Sequence, residues 1–74
     1  MSDNVNSPTH YNKGKVECID AIETATSDLV GIEAVCTSNV IKYLWRWKQK
    51  GGVESLQKAV WYINHLIKHL DNTK

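Results

Sequence analysis

Gly51 to Leu70 reads GGVESLQKAVWYINHLIKHL. Behind the two glycines, apolar side chains return at Leu56, Ala59, Val60, Ile63, Leu66, Ile67 and Leu70. Steps of three and four place these on one stripe of an α-helix, and the spacing predicts a helix from Val53 or Glu54 to about Leu70. Glycine reaches the left-handed conformation that closes a helix at little steric cost, so Gly51-Gly52 ends whatever precedes it.

What precedes is a second periodic segment. Ile32, Val35, Cys36, Val40, Tyr43, Leu44 and Trp47 form one broad stripe and predict a helix from about Ile32 to Gln49. Two helices of roughly eighteen residues, each about 27 Å long, joined by so short a link, lie antiparallel as a hairpin. Further upstream, Val16, Ile19, Ile22 and Ala25 recur every three residues and predict a short helix over 16–25, interrupted by Thr26, Ser27 and Asp28. The expected fold is all-α: a short first helix covering one side of a hairpin of two long helices. Residues 1–15 read as an N-terminal arm, 16–71 as the three-helix domain and 72–74 as a C-terminal tail.

The chain has 74 residues, few for a self-sufficient core. Apolar surface is nonetheless in surplus, because Ile41, Trp45 and Trp61 fall off the main stripes. Trp45 and Trp47 stand roughly 200° apart on a helix, so one hairpin partner does not cover both. A homo-oligomer is expected. The two cysteines, Cys18 and Cys36, lack C-x-x-C spacing and read as small core residues rather than a disulfide framework. No apolar run resembles a signal peptide or reaches the length of a membrane span, so the expectation is a soluble protein of a reducing compartment.

The formal net charge is only +1, but it is unevenly spread. Residues 1–33 carry six acids against Lys13 and Lys15, whereas residues 34–53 carry Lys42, Arg46, Lys48 and Lys50 with no acid. Either an anionic partner faces the basic block or the two halves of the chain pair. Asn39, Lys42, Arg46 and Gln49 are spaced by three, four and three along one strip of the second helix, beside Tyr43. Ammonium and guanidinium groups next to an amide and an aromatic face match a nucleotide, which offers phosphates and a planar base. The competing reading is a solvated basic face paired with the acidic first helix.

The arm adds His10, Tyr11, Asn12, Lys13, Gly14 and Lys15, again rings and cations around a glycine. It is no phosphate loop, and the pattern G-x-x-x-x-G-K-[ST] occurs nowhere in the chain. Glu17, Asp20 and Glu23 step by three on the first helix; they could hold magnesium with phosphates completing its shell, or stand as solvated acids near a helix N-terminus. His65 and His69 have the i, i+4 spacing of a zinc pair, yet Leu66 stands where H-E-x-x-H needs glutamate.

Three blocks occur in order: THYNKGKVECIDAIE over 9–23, NVIKYLWRWKQKGG over 39–52 and LQKAVWYINHLI over 56–67. Together they resemble the SaV-like family of small phage-encoded proteins, a domain of unknown function, some of whose members are described as nucleotide kinases. The resemblance spans roughly residues 8–68. It marks His10, Tyr11, Glu17, Asp20, Asn39, Lys42, Tyr43, Arg46, Lys58, Trp61 and Tyr62. One departure is visible: the family usually has Asp-Leu where this chain has Ser55-Leu56, and serine can still cap a helix. The kinase description belongs to longer relatives, and a chain of this length without a P-loop leaves little room for two nucleotide sites in one subunit.

The expected function is a phage-encoded nucleotide-binding protein that holds a nucleotide or cyclic nucleotide. His10, Tyr11, Lys13, Asn39, Lys42, Tyr43, Arg46, Lys58, Trp61 and Tyr62 would form its site. Such a protein could sequester a host defence signal in the cytoplasm of an infected bacterial cell. Two alternatives stay open. One is a nucleotide kinase or other metal-dependent enzyme, with Glu17 and Asp20 on magnesium. The other is an inhibitor that caps a host protein with its tryptophans. Nucleic-acid binding is disfavoured by the near-neutral balance and the absence of a reader motif. Membrane-surface binding through WRWK is disfavoured because the second helix needs its apolar stripe for a core.

Overall fold

A computed structural model describes Asn12, Lys13 and residues 15–73, the first two as backbone alone. Among the described residues three helices carry the fold: α1, Cys18–Thr26; α2, Gly31–Arg46; and α3, Val53–Asn72. The fold is mostly helical, as predicted; α3 packs on α2 across the short turn and α1 packs on α2, which fits one short helix against a hairpin.

The first helix begins later than its periodicity predicts. Val16–Glu17 is a strand, β2, paired antiparallel with β1, Asn12–Lys13, in the register Asn12 to Glu17 and Lys13 to Val16. Pairing holds this backbone extended, at φ −87° and ψ 152° for Glu17, and helical winding starts only at Cys18. Thr26 and Ser27 then close α1 from within. The Thr26 hydroxyl donates to the Ile22 carbonyl at 2.7 Å, and the Ser27 hydroxyl and backbone N–H both reach the Thr24 carbonyl, at 3.1 and 3.5 Å.

The second helix loses regular winding earlier than predicted, after Arg46, and residues 47–52 form the turn. The Lys50 N–H still bonds the Arg46 carbonyl at 2.8 Å, and the Gly52 N–H reaches back to the Trp47 carbonyl at 2.8 Å. That last bond, with Gly51 at φ 91°, is the six-to-one closure of a Schellman motif. Ser55 locks the turn onto α3. Its hydroxyl is buried and donates to the Lys50 carbonyl at 2.8 Å. This serine therefore caps the end of one helix with its proton rather than the start of the next with its lone pair.

Small side chains set how closely the helices approach. Cys36 and Ala59 are each 1 % exposed, and Cys18 and Ser55 are also buried. The two cysteines are free thiols in the interior, as read from the sequence. Among the described residues these are the only buried side chains, while thirteen large hydrophobics remain more than a third exposed. No described helix is long and apolar enough to cross a membrane.

Candidate functional site

The hairpin brings one ring and three cations together. On α2, Lys42 and Arg46 are one turn apart and flank Tyr43; the Lys42 Nζ and the Arg46 guanidinium carbon each lie 4.9 Å from the centre of the Tyr43 ring. From α3, Lys58 Nζ approaches the same ring to 5.6 Å. Cations at this range are drawn to the negative face of an aromatic ring. They are also like charges: the i, i+4 pair Lys42 and Arg46 repels along the helix by a few tenths of a kcal/mol. Lys58 pairs with Glu54 at 3.8 Å across one turn, both side chains about half or more in solvent, where such a pair contributes little.

Rings continue the site along α3. Tyr62 stacks on Tyr43 across the hairpin, with centroids 6.1 Å apart and planes 18° from parallel. Trp61 meets Tyr62 edge-on at 4.9 Å, and His65 stacks on Trp61 at 5.1 Å with planes 7° apart. Two shallow open recesses meet at Trp61. One, of about 270 Å³, is lined by Tyr43, Lys58, Trp61 and Tyr62. The other, of about 300 Å³, is lined by Trp61, Asn64, His65 and Lys68. Trp61 itself is 58 % exposed, a large flat surface with solvent on most of it.

Cys18 lies close to the same cations. With Ile19, Ile22 and the stem of Lys42 it lines an apolar recess of about 190 Å³ between α1 and α2. Burial pushes the Cys18 thiol above its ordinary value, and the charges of Lys42 and Arg46 pull it partly back. Lys42 thus lays its methylenes on α1 while its ammonium reaches the Tyr43 ring, the division of labour common to long cationic side chains.

Among the sequence-predicted residues, Lys42, Tyr43, Arg46, Lys58, Trp61 and Tyr62 converge on this one face. Asn39 lies a turn earlier, and its side-chain amide donates to the Val35 carbonyl of its own helix at 2.9 Å, so its N–H is already engaged. Gln49, read as the end of the same strip, stands exposed in the turn beyond α2. His10 and Tyr11 lie outside the described residues, and Lys13 is described only as backbone in β1. Glu17 belongs to β2 and is the residue from which α1 starts, and Asp20 lies in the first turn of that helix. Among the described residues no three histidine, cysteine or acidic side chains group as a metal site. His65, read as half of a zinc pair with His69, instead extends the ring surface. Its i, i+4 distance from Trp61 was the signal for that contact.

A family model described as a protein of unknown function, DUF3310, matches residues 5–64. The chain belongs to this family. The match takes in the first two sequence blocks and most of the third, so the converging residues Lys42, Tyr43, Arg46, Lys58, Trp61 and Tyr62 all lie within it. No curated protein and no solved structure matches the chain.

Proposed function

We propose that this DUF3310 protein binds a nucleotide or cyclic nucleotide, its phosphates on Lys42, Arg46 and Lys58 and its base against the Tyr62, Trp61 and His65 rings. The observation that carries the reading is the approach of three cations from two helices to within 4.9 to 5.6 Å of one tyrosine ring. An anion seated there relieves their mutual repulsion and gains charge-assisted hydrogen bonds, which are roughly twice as strong as neutral ones. A base beside it finds exposed ring faces, worth about 1–3 kcal/mol per stacked base. The resemblance adds His10 and Tyr11 to the proposed site, and the run of rings and cations in the arm adds Lys13; His10, Tyr11 and the Lys13 side chain lie outside the described residues.

The working form is a homo-oligomer, because a single copy leaves most of its large hydrophobics in solvent. The phage resemblance supplies the setting: a small protein, abundant in the cytoplasm of an infected bacterium, lowers the level of a host defence nucleotide by holding it.

A thermal-shift screen of mononucleotides, dinucleotides and cyclic nucleotides tests the reading, because a specific ligand raises stability by mass action. At least one nucleotide should raise the melting temperature of the parent and not of Arg46→Ala. No shift with any nucleotide removes the assignment. Conversion of the bound nucleotide in the presence of magnesium would replace holding with the kinase chemistry named for some SaV-like proteins.

A further inference from the structure

α3 has three faces, and the hairpin and the candidate site use only two of them. Ser55, Ala59, Tyr62 and Leu66 are buried or half-buried on the face toward α2; Lys58, Trp61, His65 and Lys68 form the ring and cation face. The third face carries Val53, Leu56, Val60, Ile63, Ile67 and Leu70. Its steps of three, four, three, four and three are an unbroken heptad seam, with Val53, Val60 and Ile67 at a positions and Leu56, Ile63 and Leu70 at d. Leu56 is half-buried, and the other five are 40 to 68 % exposed.

We propose that this seam is the contact by which two copies of the chain pair, their α3 helices parallel and in register. The choice of occupant rests on three features. First, the seam is a straight stripe along a 20-residue helix, so what fits it is another helix with the same period. A second copy carries one. Second, for parallel helices, β-branched residues at a with leucine at two of three d positions favour two strands over higher orders. Third, the flanking e positions are Gln57, Asn64 and, at the last turn, Asp71, and the g positions they meet across a parallel pair are Ala59 and Leu66, which turn toward α2, so no e-to-g contact sets like charges together. To count as a specific contact, such a pairing has to bury roughly 1,000 Å² in total, its flanks included. On the 3.6-residue wheel the seam lies roughly 150° from the ring and cation face. Pairing therefore leaves both copies of that face open.

The test is the mass of the full-length chain in solution, by sedimentation or light scattering over a broad concentration range; it uses no nucleotide, so its outcome is independent of the binding reading. The parent should have the mass of two chains. Val60→Glu and Val60→Lys should each halve that mass with the helical circular dichroism retained, and an equimolar mixture should restore it, because residue 60 faces itself across a parallel pair. Leu70→Cys supplies a check near the free end of the helix, where folding depends on it least. Since Cys18 and Cys36 are buried, mild oxidation should link two copies through position 70. A parent monomeric at every concentration, a V60E variant with the parent's mass, or no cross-link at position 70 would each overturn the proposal.

Discussion

Tyr43 on α2 and Tyr62 on α3 stack across the hairpin with ring centroids 6.1 Å apart and planes 18° from parallel. The pair fastens the two long helices at the place where the cations gather, so one ring serves both packing and the site. Replacing Tyr43 by phenylalanine keeps the ring and should keep nucleotide binding. Replacing it by leucine removes the stack, about 0.5–1.5 kcal/mol, and should weaken binding together with stability. Chemical denaturation and calorimetric titration of the two variants distinguish these outcomes; equal binding by the leucine variant would refute the role of the ring.

Arg46 is the cation whose loss is expected to be felt most, because its planar fork matches phosphate oxygens two at a time. Arg46→Ala should reduce affinity about tenfold to a hundredfold, the equivalent of one charged hydrogen bond of about 1.5–3 kcal/mol. Arg46→Lys should recover only part of it. Titrations at low and high salt should show the parent losing affinity with ionic strength more steeply than the alanine variant.

Gly51 is the position where a methyl group should do most harm to the fold. Its φ of 91° lies in the left-handed region, and an added Cβ would run into the Ser55 hydroxyl. Gly51→Ala should cost about 2 kcal/mol or more and lower the melting temperature on the order of 10 °C. Ser55→Ala, which removes the hydrogen bond to the Lys50 carbonyl, should cost about 1 kcal/mol. The double variant should lose less than the sum, since the colliding atom is gone; strict additivity would show that the collision is not felt.

Cys18 should be a slow thiol. Burial raises its pKa, with the charges of Lys42 and Arg46 only partly opposing, so it stays protonated at neutral pH and reacts slowly with a thiol reagent. In the alkaline range an unfolded chain releases this proton more readily than the folded one, so stability is intact below the ordinary thiol pKa and falls as pH rises from there toward the folded value. Urea midpoints measured across that range should fall in the parent and fall less in Cys18→Ala. A nucleotide that draws the charges of Lys42 and Arg46 onto its phosphates should slow the thiol further.

The hairpin was legible because the apolar period of residues 53–70 and the glycine pair are local signals, each readable within a few residues. Val16 and Glu17 were not. Their spacing suits a helix, but their partners, Asn12 and Lys13, draw them into a strand, and cross-strand pairing leaves no trace in a helical period. Lys42, Tyr43 and Arg46 could be placed together because they share one turn of one helix. Lys58 could not be placed beside them from spacing, since which residue of α2 it meets depends on how the two helices slide past each other, and only resemblance marked it. Ser55 can cap the third helix on its residue type alone, whereas the turn geometry hands its proton backwards to Lys50.

The tight closure between Trp47 and Gly52 also bears on the tempo of folding. With so few residues between α2 and α3, the contacts that hold them are made between near neighbours along the chain, and helical proteins of that kind fold in microseconds to milliseconds. Any association of copies is a bimolecular encounter whose speed depends on how many molecules are present. In dilute solution the hairpin should therefore close first, and assembly should lag behind it by an interval that shortens as protein accumulates.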